Sequence, residues 1–401
     1  MNILTQNYIK RKIDDLNFMR EKGPFSCGDL ILAFQEELII RISNVERKIR
    51  TLNINIESCT KELRTKREPQ LTKIEASRLK KKIQNLRDKK QDYEESNFIF
   101  HHIGDGLAYL LIDRWDIKPL SFKQSPGFIS GKKGARLERK CLRMAFELGG
   151  IAILNDITNC LRYGDLTIVS KNRPFMILEV KSGKTNNKRI YRQAADLENI
   201  TNYLTTDTTN FLYEKPTNAA RIEVSIKPTY HVDKFNDFLG FSESSSFHTL
   251  EIGHHVIIGK DEEFPLQDSE IHLGERPILF FLNEYRYSNT GYYPLSLIFR
   301  NGNHFIDFYM GKMVVGIVID FALVEQKLES NGLSIEYCKD KDYPYIIRGV
   351  PPAVNNDFEF KVSHHFFNRI FFEFLTIDSF CLLLINLIND IPNSAWLPTA
   401  R

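Results

Sequence analysis

The chain has 401 residues, of which 42% are hydrophobic and 12% aromatic, enough apolar mass for two or three packed domains and too much for a disordered polypeptide. Its formal net charge of +3 conceals an asymmetry, because residues 61–90 sum to +8 and everything else to −5. Six cysteines without a CxxC spacing argue against a zinc ribbon or a disulfide framework and fit a reducing cytoplasm.

The opening MNILTQNYIKRKIDD meets charge before any apolar run long enough for a secretory leader. From Leu38 to Leu63 apolar side chains recur at alternating spacings of four and three, through Ile42, Val45, Ile49, Leu52, Ile56 and Cys59, which is a heptad seam. A shorter seam runs through Ala76, Leu79, Ile83, Leu86 and Tyr93, and Pro69 between the two interrupts a continuous helix. The pattern predicts a helical hairpin, or alternatively two amphipathic helices packed on a core or paired with a second copy. The basic stretch 61–90 at its tip suits a polyanion, and equally a solvated helix face.

Between about 100 and 205, short apolar runs alternate with helical periodicity, as in an α/β unit. GKKGARLERKCLRMAFELGG reads as a helix closed by Gly149 and Gly150, with Glu138, Cys141, Leu142, Ala145 and Leu148 on one stripe, so Glu138 points inward. YGDLTIV and PFMILEVKSG follow as two strands separated by SKNRP. Side chains alternate along a strand, so Glu179 and Lys181 share a face, and a hairpin would bring Asp165 to Glu179. NKRIYRQAADLENITNYL then has helical spacing through Ile190, Ala194, Leu197 and Leu204, with Gln193 bordering the stripe.

Beyond 206, RIEVSIK, FHTLEIGHHVIIG, RPILFFL, PLSLIFR, HFIDFYM and KMVVGIVID read as strands, ahead of a helical close at 363–390. The acids within the apolar tract 370–390 make it buried helix, not a membrane span. The His pairs at 101/102, 254/255 and 364/365 offer one ring per strand face and have no companion acid at a fixed spacing, so they are not read as a metal site. HHIGDG and GFISGKKG lack a full phosphate-loop pattern, and the aromatics of EYRYSNTGYYP read as core or interface.

Clustered carboxylates beside a lysine suit phosphodiester hydrolysis, in which a hard divalent ion neutralises the phosphate and the lysine orients water. An inward Glu138, then Asp165, then Glu179-Val180-Lys181 on a strand, then a helix bearing Gln193, resembles the PD-(D/E)XK nuclease superfamily over roughly residues 127–205. The likeness is greatest to its restriction-endonuclease and prokaryotic phage-defence branches. It departs from the pattern at Gly164, where the name-giving proline would stand.

The resemblance implies an α/β restriction-endonuclease-like core, with a mixed sheet flanked by helices at 100–205. The rest would be an N-terminal helical hairpin or coiled coil at 1–99 and a C-terminal α+β domain at 206–401. It implies a Mg²⁺-dependent endonuclease acting on DNA more than RNA, with Mn²⁺ as a substitute. Glu138, Asp165, Glu179, Lys181 and Gln193 would be catalytic, and Asp165, Glu179 and the Val180 carbonyl would hold the metal. Lys132, Lys133, Lys184 and Lys188 would contact phosphates. A cytoplasmic antiviral effector is the expected setting, with a homodimer through the N-terminal helices or a partner protein of the defence system. The alternatives are a surface ion pair between Glu179 and Lys181, and an inactive nuclease-fold scaffold that assembles with a partner such as an ATPase.

Overall fold

The computed structural model describes residues 3–65, 71–121, 127–171, 173–181, 188–212, 215–221, 226–241, 244–260, 273–288, 291–349 and 359–390. The chain is mixed α and β, with N-terminal helices and several small antiparallel sheets. It divides into two compact units, Met1–Asn218 with Pro294–Leu297, and Ala219–Tyr293 with Ile298–Arg401. Residues 1–99 and 100–205 thus lie in one unit, and the chain passes to the other near 218.

In the first unit, α1 (Ile3–Lys22) precedes two long helices, α2 (Gly28–Arg64) and α3 (Lys73–Leu111), which pack on each other. At 1.5 Å per residue α2 is about 56 Å long. Leu38, Ile42, Ile49, Leu52 and Cys59 of the heptad seam are buried, as is Ile83 on α3. Pro69 lies outside the described residues. The second helix starts on a capping box, in which Thr72 Oγ1 accepts from Glu75 N and Glu75 Oε2 accepts from Thr72 N. HHIGDG lies inside α3, where a Cβ on Gly104 would sit 2.0 Å from Ile157 O, so the glycine permits a close backbone approach.

A short helix α4 (Arg114–Leu120) leads to α5 (Ala135–Glu147), β1 (Ile151–Leu154), β2 (Leu166–Ser170), β3 (Arg173–Leu178) and α6 (Lys188–Thr206). The three strands form a sheet in the order β1-β2-β3. Next come β4 (Thr208–Leu212) and β5 (Lys215–Ala220), a two-stranded sheet. The mixed core sheet is not seen among the described strands: every pairing with a described register is antiparallel, and β4 pairs with β5 instead of extending the first sheet. The edge of β1 is completed by a side chain. Gln35 of α2, fully buried, donates Nε2 to Ala152 O at 2.8 Å and accepts from Leu154 N at 2.9 Å. Glu46 of the same helix accepts from Ile129 N and Ser130 N.

The second unit holds α7 (Val232–Phe241), β6 (Ser246–Glu251), β7 (His254–Lys260) and β8 (Pro277–Phe281). After the single-turn α8 (Leu295–Ile298), of which all but Ile298 belongs to the first unit, come α9 (Gly302–Tyr309), β9 (Met313–Asp320) and α10 (Phe321–Glu329). The unit closes with β10 (Leu333–Tyr337), β11 (Tyr345–Gly349), β12 (Glu359–Val362), α11 (His364–Phe367), α12 (Arg369–Phe372) and α13 (Ile377–Asp390). Its sheets run β6-β7-β9-β8 and β10-β11-β12.

Two expected strands are helices. PLSLIFR contains α8, and HFIDFYM lies in α9, where Phe305, Ile306, Phe308 and Tyr309 are buried and Asn301 caps by accepting from Asn303 N. Their apolar spacing satisfies the helical period as well as the strand period, and in α9 the Asn301 cap favours the helix. Most of RIEVSIK lies outside the described residues.

Candidate functional site

The antiparallel register of β2 and β3 pairs Leu166 with Leu178, so Asp165 precedes β2 and Glu179 follows β3 at the open end of the hairpin. Asp165 N donates to Leu178 O at 2.7 Å, and Asp165 Oδ2 accepts from Val180 N at 2.8 Å. The turn before Asp165 needs Gly164. Its φ is +67°, which proline cannot adopt, and a Cβ there would lie 2.6 Å from Ile177 Cγ2 and 2.7 Å from Leu178 O. Buried Asn155 fastens the same turn, donating Nδ2 to Tyr163 O at 2.6 Å and accepting Thr167 Oγ1 at 2.8 Å.

Three carboxylates converge on the ammonium of Lys132. Its Nζ is 2.7 Å from Asp156 Oδ2, 3.0 Å from Asp165 Oδ1 and 3.0 Å from Glu138 Oε1. Burial works to lower the lysine's pKa, but Asp156 and then Asp165 outweigh it and hold the group well above the ordinary lysine range. Burial raises the Glu138 carboxyl, against the opposing pull of Lys132. Glu138 is 2% exposed on α5, close to Gly134, where a Cβ would meet its Oε1 at 2.7 Å. Its stripe is shorter than the spacing implies: Leu142 is buried, whereas Leu148 lies beyond the helix end at Glu147 and is 84% exposed.

A second cluster adjoins in sequence. Lys181 Nζ donates to Glu179 Oε1 at 2.5 Å and to Gln193 Oε1 at 3.1 Å. The α6 stripe differs from the expected one. Ala194 is exposed and Ile200 and Tyr203 are buried, a rotation that brings half-buried Gln193 toward Lys181.

The structure therefore joins Glu138, Asp165 and Lys132 in one cluster and Glu179, Lys181 and Gln193 in another, and the Asp165–Val180 bond connects them. The Lys132 ammonium is bonded to carboxylates although the side chain is partly exposed, and Lys133 is exposed. Lys184 and the side chain of Lys188 lie outside the described residues. Sequence reasoning missed Asp156. It sits in a single helical turn directly after β1, and the acid closing the apolar run IAILN was the available signal. All the donors here are carboxylate or carbonyl oxygens, a chemistry that fits Mg²⁺ or Mn²⁺ and not a soft metal. Comparison with family models, curated proteins and solved structures finds no match.

Proposed function

We propose that this chain is a metal-dependent nuclease that hydrolyses phosphodiester bonds, in DNA more than in RNA. The observation that supports it most is the Asp165–Val180 hydrogen bond, which holds the acid beside Glu179-Val180-Lys181. Asp165, Glu179 and the Val180 carbonyl would hold Mg²⁺, or Mn²⁺ in its place, and the ion would supply charge neutralisation at the phosphate. Lys181 orients the attacking water and holds or releases a proton at Nζ. Gln193 fixes that ammonium together with Glu179, and Glu138 adds negative charge to the cluster that Asp165 shares with Lys132. Exposed lysines and arginines of α2 and α3 within 61–90, together with Lys133, would meet the phosphate backbone. An antiviral effector in a prokaryotic cytoplasm is the setting that the family resemblance alone favours. Among the described residues no helix is long and apolar enough to cross a membrane.

One observation favours a second reading. The Lys132 ammonium already bridges three carboxylates, as it would in an inactive nuclease-fold scaffold that assembles with a partner such as an ATPase. The deciding experiment incubates the purified chain with single- and double-stranded DNA and RNA, with Mg²⁺ or Mn²⁺, beside Lys181→Ala and Glu179→Ala. Metal-dependent cutting that both substitutions abolish is the expected result. Absence of cutting on every substrate, or cutting that survives both substitutions, removes the nuclease reading.

A further inference from the structure

The second unit contains a cluster of mixed nitrogen and oxygen donors that the nuclease reading does not use. Glu251 ends β6 and His254 begins β7, and the two are cross-strand partners across the Ile252–Gly253 turn. Gly253 makes the turn possible, since its φ is +72° and a Cβ would lie 2.7 Å from Leu323 Cδ2. Strand alternation separates the paired histidines. His255 Nδ1 bonds Thr249 Oγ1 at 3.0 Å, while His254 turns to the other face. There it meets His231, which is held just before α7 by a bond from its own N–H to Phe374 O at 2.8 Å.

The donors converge on Glu251 Oε1, with His231 Nε2 at 3.3 Å and His254 Nδ1 at 3.7 Å. The three ligand atoms all lie within 4.8 Å of one another. Tetrahedral zinc with bonds near 2.1 Å sets its donor atoms about 3.4 Å apart. Neither ring nitrogen of His254, which is fully buried, makes a hydrogen bond, nor does His231 Nε2. A buried imidazole whose Nδ1 has only a carboxylate at 3.7 Å and whose Nε2 makes no hydrogen bond is costly, and a cation between the three groups would satisfy it. Ile377 N donates to Glu251 Oε1 at 2.7 Å, fixing the carboxylate from outside, as the outer partners of metal ligands do.

We propose that His231, Glu251 and His254 form a transition-metal site that takes zinc, with a fourth position left for water or an exogenous ligand. Two imidazoles and one carboxylate form a donor set that selects zinc over Mg²⁺, so this site and the carboxylate site take different ions.

The test uses the full chain without a histidine tag, analysed for bound metal by mass spectrometry, then stripped with a chelator and titrated with Zn²⁺ by calorimetry and with Co²⁺ by visible absorption. Expected are zinc at about one per chain and an intense visible cobalt band of a low-coordinate nitrogen and oxygen site. Glu251→Gln, which keeps an acceptor for Ile377 N, and His254→Ala should each weaken Zn²⁺ binding by at least about tenfold. Asp165→Asn should leave it unchanged. Should a variant misfold, the unmodified chain decides alone: zinc absent after purification, with neither Zn²⁺ nor Co²⁺ bound on titration, overturns the proposal. So does zinc binding that folded Glu251→Gln and His254→Ala retain in full.

Discussion

The ammonium of Lys132 stands 3.0 Å from Asp165 Oδ1, on the acid that the nuclease reading assigns to the metal. Its removal leaves Glu138, Asp156 and Asp165 facing one another without the ammonium that bonds all three. Lys132→Met should destabilise the metal-free chain by roughly 2–3 kcal/mol, less than for a fully buried pair because the lysine is partly exposed. Mg²⁺ should then raise the melting temperature of the variant more than that of the parent. Thermal unfolding with and without Mg²⁺ checks this, and a variant that Mg²⁺ fails to stabilise would favour the scaffold reading.

Gly164→Ala combines strain at a positive φ with contacts under 3 Å to Ile177 and Leu178. The expected loss is about 2 kcal/mol or more, measured by urea denaturation. Since the turn positions Asp165, cleavage should fall further than the folded fraction does.

Gln193 accepts from Lys181 Nζ and is only half-buried on α6. Gln193→Ala should leave stability unchanged and reduce single-turnover cleavage by about tenfold, against roughly a hundredfold or more for Lys181→Ala. Equal losses in the two variants would mean that Gln193 does more than hold the lysine.

Gln35→Ala deletes both bonds to the rim of β1 and strands Ala152 O and Leu154 N in the interior. A cost of about 2–4 kcal/mol follows from two unsatisfied buried main-chain groups. Chemical denaturation measures it, and hydrogen exchange at Leu154 should accelerate in parallel.

His101 gives the first unit an acid-sensitive component. Burial, then the charges of Arg162 and His102, lower its pKa from 6.5 to about 4. The unfolded chain takes up a proton near 6.5 that the folded chain refuses until about 4, so stability falls as the pH drops through that window and is restored as it rises. The loss amounts to at most about 3 kcal/mol. In His101→Gln the stability profile between those limits should be correspondingly flatter.

Local pattern made some of this architecture readable. The heptad seam of α2 and the strand pair that sets Asp165 against the backbone of Val180 depend on spacing alone, and spacing is visible in one dimension. Other features depend on contacts distant in sequence. Gln35 looks like an ordinary polar residue until β1 lies against it, 117 residues on. Asp156 becomes notable only when Lys132 arrives from another loop. His254 was set aside for want of a companion acid at fixed spacing, and its companions come from across a hairpin turn and from the entrance to α7. The strands β10 to β12 go unread because each is only four or five residues long, too short for the alternation in LSIEY and EFKV to stand out from its surroundings. The helices read as strands show the reverse limit, since apolar runs of seven residues carry both periods at once.

Gln35 has a further consequence for how the chain can be divided. A β-strand with open main-chain groups along one side is a template for pairing with another chain. In β1 that side is covered by an amide on α2, so a fragment beginning near residue 100 would carry the acids and Lys181 but present a bare strand to its neighbours. Such a fragment should aggregate or swap strands between copies instead of yielding a minimal catalytic module. The long helix is therefore part of the sheet's own solubility, and the shortest soluble form of the site should start upstream of Gln35.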